Sequence, residues 1–134
     1  MPFDCSTEDY IAIHQLVASY GDSVSRFTLD EFGALWTHEA VWVHPTLGQT
    51  VGRAAIVETC RTALGRIDGL LFTSSLGSLH VMGGEAAGRV WVEELVVVSG
   101  AEPRRQAGRY DDVYRRQGGR WMFSRRELTI VHRG

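Results

Sequence analysis

Few residues of this chain can do chemistry, and their spacing narrows what that chemistry is. Histidines stand at positions 14, 38, 44, 80 and 132 and cysteines at 5 and 60. Imidazole titrates ordinarily near pH ~6.5, so a neutral histidine can take a proton from carbon beside a carbonyl. The enolate so formed needs donors aimed at its oxygen. A tyrosine hydroxyl can serve, as can a carboxyl kept protonated by apolar walls. Metal chemistry is not indicated. His38 and His44 are the closest histidines, yet on one extended strand they would lie about 20 Å apart, against ~2 Å for a metal–ligand bond. No HExxH, CxxC or Cys/His cluster occurs, and Cys5 and Cys60 read as free thiols. GxGxxG and P-loop patterns are missing as well, so no nucleotide cofactor is implied and none is expected.

The elements that must position such residues follow from periodicity. Ser6 can cap a helix whose first turn holds Glu8 and Asp9. Tyr10, Ile13, Leu16, Val17, Tyr20 and Val24 then form a stripe at helical spacing, with Asp22 on the far side and Ser25 at its margin. A second short helix is expected over 29–36. A strand follows from Ala40 to His44, stopped by Pro45. Thr46 to Gly52 reads as a loop or short hairpin. A third helix runs from Arg53 to about Leu64, with Gly65 placed for a left-handed cap. Beyond Leu70, four β-rich runs (71–82, 87–99, 106–116 and 121–131) alternate with glycine turns, the pattern of an antiparallel meander. Helices first and strands after give an α+β fold in a single domain over 1–134.

Composition limits the partners. The chain has 134 residues, 44% of them hydrophobic, and a net charge of −2. That suits a globular domain with its own core. The chain carries 14 arginines and no lysine. Three arginine pairs, at 104–105, 115–116 and 125–126, sit on strands or their ends, where neighbours face opposite ways and spread the charge. No nucleic-acid stripe is expected. No apolar run approaches the roughly 20 residues needed to span a bilayer, and MPFDCSTED lacks a signal-peptide core. The expected location is the cytoplasm and no membrane partner is foreseen.

Five segments in order resemble the SnoaL-like branch of the nuclear-transport-factor-2-like superfamily. They are Tyr20-Gly-Asp-Ser-Val-Ser25, EFGALWTHEAVWVHP, Val51-Gly52-Arg53-Ala54-Ala55-Ile56, GGEAAGRVWV and GRYDDVYRRQGGRWMFSRREL. The resemblance implies a curved antiparallel sheet wrapped around three helices with a cone-shaped pocket between them. It also implies a homodimer and, in many members, a cofactor-free enzyme acting on small hydrophobic molecules.

The resemblance also implies roles. Dehydratase-like relatives use an aspartate where this chain has Ser25, and a histidine at a position that falls near Ser74 or Ser75. Serine is no base near pH 7 without a neighbour to take its proton, so that mechanism is not expected. The ketosteroid isomerases pair a helix tyrosine with a strand acid as an oxyanion hole and place a base just before a proline. Ketosteroid isomerase is itself a standard worked case of a carboxylic acid kept protonated so that it can donate. Tyr20, Asp112 and His44 match those positions, with histidine in place of the aspartate base. Ser25, Trp42, Ser74, His80 and Trp91 are the candidates for substrate contact. His80 shares strand parity with Ser74, so it is a candidate for a relocated base. Asp111 points to the other face. The expected activity is therefore proton transfer in a small cyclic ketone, steroid-like or polyketide-like, by an isomerase or dehydratase-type enzyme. The alternative is a non-catalytic binding or dimerisation protein of the same fold.

Overall fold

The computed structural model describes residues 1–134. The first helix, α1 (Thr7–Ser25), is capped by the Ser6 side chain, which accepts from the Asp9 amide at 3.1 Å. Its apolar stripe is the buried one: Ile13, Leu16, Val17, Tyr20 and Val24 face inward. Asp22 lies outside, paired with Arg26 one turn on. A short strand precedes it, β1 (Phe3–Asp4), which the sequence pattern does not reveal.

The second helix is shorter than its periodicity predicts. It spans α2 (Leu29–Gly33), and Trp36 already opens the strand β2 (Trp36–His44). Trp36 is fully buried among Tyr20, Phe32, Trp42 and Phe123. Burying so large a ring favours the strand by about 2–3 kcal/mol over leaving it exposed at the end of a helix. The segment Thr46 to Gly52 is a hairpin, with β3 (Gly48–Val51) antiparallel to β2. Helix α3 (Arg53–Leu64) has the expected bounds, but Gly65 sits at φ −67°, an ordinary right-handed conformation rather than a left-handed cap. The four long runs are β4 (Gly69–Met82), β5 (Glu85–Val97), β6 (Arg104–Gln117) and β7 (Arg120–Arg133).

These strands make one open sheet in the order β1-β4-β5-β6-β7-β2-β3. The long strands are antiparallel, and β2 joins β7 in parallel. Helix α1 lies against β4 at a glycine: a Cβ on Gly21 would stand 3.0 Å from the Phe72 ring and 3.1 Å from its carbonyl oxygen. The helix backbone therefore reaches the strand directly. No helix is long and apolar enough to cross a membrane.

Register irregularities decide which side chains face the helices. β4 shifts register between Leu76 and Ser78, and β7 shifts opposite the Val113–Tyr114 and Ala107–Gly108 steps of β6. One extra residue in a strand reverses every later side chain. On β7 the inward set accordingly changes from Trp121 and Phe123 to Arg126, Leu128 and Ile130, and then to Arg133.

Candidate functional site

Between the helices and the sheet lies a cavity of about 640 Å³. Its walls follow from the alternation of each element. Helix α1 supplies Tyr20 and Val24, β2 supplies Trp42 and His44, and α3 supplies Cys60 and Leu64. The inward residues of β5 include Glu94 and Val96, and those of β6 include Arg104, Gln106 and Tyr110. Along β6 the order runs from the mouth at Arg104, past Gln106, to Tyr110 deep inside.

The deep end is a hydrogen-bonded aromatic group. The Tyr20 and Tyr110 hydroxyls are 3.1 Å apart, and the Trp42 indole N–H donates to the Tyr110 oxygen at 3.2 Å. Two phenolic protons are present and only one is used between the tyrosines. The other is free to donate to an occupant of the cavity. Burial pushes both phenols up, Tyr110 to about 12 and Tyr20 well above its ordinary value, so both stay protonated donors at neutral pH. Burial also pushes the Cys60 thiol up to about 12, leaving it an un-ionised wall group.

Glu94 is the only acidic side chain lining the cavity. Gln106 donates to its Oε2 at 3.1 Å. Desolvation raises its pKa above the ordinary carboxylate value, against the pull of that hydrogen bond. Its charge is felt at Tyr110. The sequence reading passes over Glu94, although a signal exists. In Val90-Trp91-Val92-Glu93-Glu94-Leu95-Val96 the inward register reads Val, Val, Glu, Val, and an acid in such a row has a reason to be there.

His44 lines the cavity, as expected, but its hydrogen bonds give it a different role. Its Nδ1 accepts from the Thr46 and Leu47 amides at 3.1 and 3.2 Å. Burial, and secondarily the charge of Arg133, lower its pKa to about 4. The neutral ring therefore carries its proton on Nε2, and it has no free lone pair with which to act as a base. In this arrangement it is a donor. Between pH 6.5 and about 4 the unfolded chain takes up a proton that folded His44 refuses, so its contribution to stability rises with pH across that window. Acidification through it should cost wild type about 1 kcal/mol more than His44→Gln, a figure reduced for the ring's partial exposure. Glu94 acts in the opposite sense and is common to both proteins. Urea unfolding of the pair at pH 4.5 and 7 checks this, and equal pH dependence would contradict it.

Asp112 does not line the cavity. Its Oδ1 accepts from Arg126 Nε at 2.7 Å, and its Oδ2 accepts from Arg126 Nη2 at 3.0 Å and from the Tyr114 hydroxyl at 2.8 Å. With both oxygens accepting, it has nothing to donate to an oxyanion. Burial raises its pKa while Arg126 and Tyr114 oppose that. Arg126 is wholly buried, its guanidinium carbon 4.4, 3.9 and 4.3 Å from the ring centres of Tyr20, Tyr110 and Phe123. The pair thus stands behind the tyrosines and holds their rings. Asp111, as expected, faces outward and meets Arg109.

Of the residues expected to contact substrate, Trp42 lines the cavity and the others do not. Ser25 Oγ accepts from the Phe72 amide at 3.0 Å, joining α1 to β4. Leu70 and Phe72 are the β4 residues that reach the cavity, while Ser74 lines a separate groove with Trp91. Trp91 is 46% exposed because the inward positions on β5 are Val90, Val92 and Glu94. His80 does not share the face of Ser74: the shift at Leu76–Ser78 turns it outward, where its Nδ1 meets Asp4 at 3.0 Å. No group of three potential ligands is placed to hold a metal ion.

An open, curved α+β sheet over three helices, enclosing one mixed aromatic and polar cavity, defines the nuclear-transport-factor-2-like class. Within it, residues 6–127 match the SnoaL-like domain, and the chain belongs to that family. No curated protein matches the sequence. Solved structures agree on the fold. A candidate scytalone dehydratase from Novosphingobium aromaticivorans superposes with a TM-score of 0.87 at 21% identity, covering 94% of this chain and 86% of its own. A hexachlorocyclohexane dehydrochlorinase from Novosphingobium barchaimii gives 0.85 at 20% identity, covering 95% and 89%.

Proposed function

We propose that this protein is a cofactor-independent isomerase or lyase that moves a proton in a small hydrophobic cyclic ketone. The observation that carries the reading is the cavity's single desolvated carboxylate, Glu94, in the same chamber as the Tyr20–Tyr110 hydroxyl pair. The substrate carbonyl accepts from the free phenolic proton. Glu94 removes a proton from the adjacent carbon, and its raised pKa brings it closer to a useful base at neutral pH. The electron pair left behind moves onto the carbonyl oxygen, where the phenol, and Nε2–H of His44 in a suitable pose, stabilise it. Return of the proton to another carbon gives an isomer. Loss of a leaving group from the neighbouring carbon gives an elimination. The dehydratase and dehydrochlorinase names among the structural relatives are consistent with the elimination.

Steroid-like and polyketide-like rings are the substrates of first choice, because the inner walls are apolar or aromatic at Val24, Leu64, Leu70 and Phe72. A homodimer is part of the same reading. Exchange of the α-protons of 2-tetralone in deuterated water, followed by NMR, tests it. Wild type should exchange them well above the buffer rate. Binding without exchange would favour the alternative, a non-catalytic binding protein, to which the serine at position 25 also lends support.

A further inference from the structure

The cavity mouth is far more basic than the chain as a whole. Half of the arginines meet a carboxylate within 4 Å. Arg66, Arg104, Arg105 and Arg133 do not, and all four line the cavity and are exposed. They come from three places: the turn after α3, the start of β6 and the end of β7. Adjacent strand residues were expected to spread their charge, and the fold gathers these instead. Arg104 occupies the inward register of β6, two residues before Gln106. The register shift on β7 opposite Ala107 and Gly108 brings Arg133 into line with Gln106. There Arg133 donates to Thr46 Oγ1 at 3.3 Å and its charge reaches His44.

Little nearby opposes this charge. Asp68, close to Arg66 in sequence, accepts from the Ser99 amide at 2.5 Å and does not line the cavity. A carboxylate on Gly134, which lies at the mouth, offsets only one of the four positive charges. Glu94 belongs one inward step further in, opposite Gln106. A guanidinium without a carboxylate partner, at the rim of a cavity with apolar inner walls, is suited to a carboxylate, which it can bind through two parallel hydrogen bonds.

We infer that the substrate is an amphiphilic carboxylate, with an apolar body in the cavity and its acid group held at the mouth by Arg104 and Arg133. Arg66 and Arg105 supply the surrounding positive field. Arg104 and Tyr110 are six residues apart on β6, about 20 Å of strand, so an occupant that meets both ends is elongated. The inference rests on the cavity being the substrate site and narrows the class of molecule that enters it.

A matched pair of probes tests it: 4-(2-naphthyl)butyrate and its neutral counterpart 4-(2-naphthyl)butanol, titrated calorimetrically. The acid should bind wild type about ten-fold more tightly than the alcohol at low salt, with the preference shrinking as salt screens the rim. In Arg104→Gln/Arg133→Gln the preference should fall close to one, with the alcohol's affinity kept. Both side chains are exposed, and an unchanged unfolding temperature shows that the variant is folded. Equal binding of acid and alcohol by wild type, or a preference that survives in the variant, overturns the inference. Binding of neither probe overturns it together with the cavity reading. An acid preference without any exchange of 2-tetralone protons would sink the catalytic reading alone.

Discussion

Glu94→Gln is expected to slow α-proton exchange by about 10²–10⁴-fold, the usual contribution of a positioned general base. The substitution keeps the shape of the side chain and an oxygen for Gln106 to donate to, so the walls of the cavity stay in place. It also removes a charge that burial disfavours, so stability should hold or rise slightly. Loss of rate without loss of stability is the signature that separates a base from a packing residue. His44→Gln should cost much less, because His44 presents a donor that glutamine can partly replace. A Glu94→Gln variant as fast as wild type would remove Glu94 from the mechanism.

The second large effect lies behind the site. Asp112→Asn leaves the Arg126 guanidinium buried against a neutral partner, and breaking a buried pair in this way costs about 3–5 kcal/mol. Domains of this size are stable by about 5–15 kcal/mol, so the melting temperature should fall by roughly 10 °C or more. Arg126 is wrapped by the rings of Tyr20, Tyr110 and Phe123, and it has one further nitrogen, Nη1, without a partner. Replacing both members of the pair by apolar residues, Asp112→Leu with Arg126→Met, should recover most of the loss. Thermal unfolding of the two variants checks this. An Asp112→Asn protein within ~1 kcal/mol of wild type would mean that the pair contributes little.

Much of the scaffold was legible because its signals are local. The α1 stripe, the Ser6 cap, the bounds of α3 and the glycine turns of the meander each depend on neighbours in sequence. The shorter α2 and the early start of β2 were not legible, since the burial of Trp36 depends on partners from three other elements, α1, α2 and β7, as well as on Trp42. The site was read less well than the fold, for a related reason. Tyr20 lies on a regular helix, and Trp42 and His44 lie past the irregular step of β2 between Trp36 and Val41, in a stretch whose own alternation carries them to the cavity. Ser74, His80 and Trp91 were placed by counting parity along strands or by residue type. A single extra residue near Gly77 reverses the count for His80, and nothing in the residue types announces it. Asp112 shows a different limit. Its inward direction was evident, but its partner Arg126 is fourteen positions away on the next strand, beyond any local pattern. Glu94 could have been found by asking why an acid occupies an inward position among valines.

The most direct test of Glu94 as the base is the pH dependence of the exchange rate, measured for wild type, His44→Gln and Glu94→Gln. A base works deprotonated, so the rate should rise with pH through its pKa. Wild type and His44→Gln should share a rising limb whose midpoint lies above the ordinary carboxylate value of 4.5. Glu94→Gln should lack that limb. A limb that vanishes in His44→Gln and persists in Glu94→Gln would return the base to His44 and contradict this account.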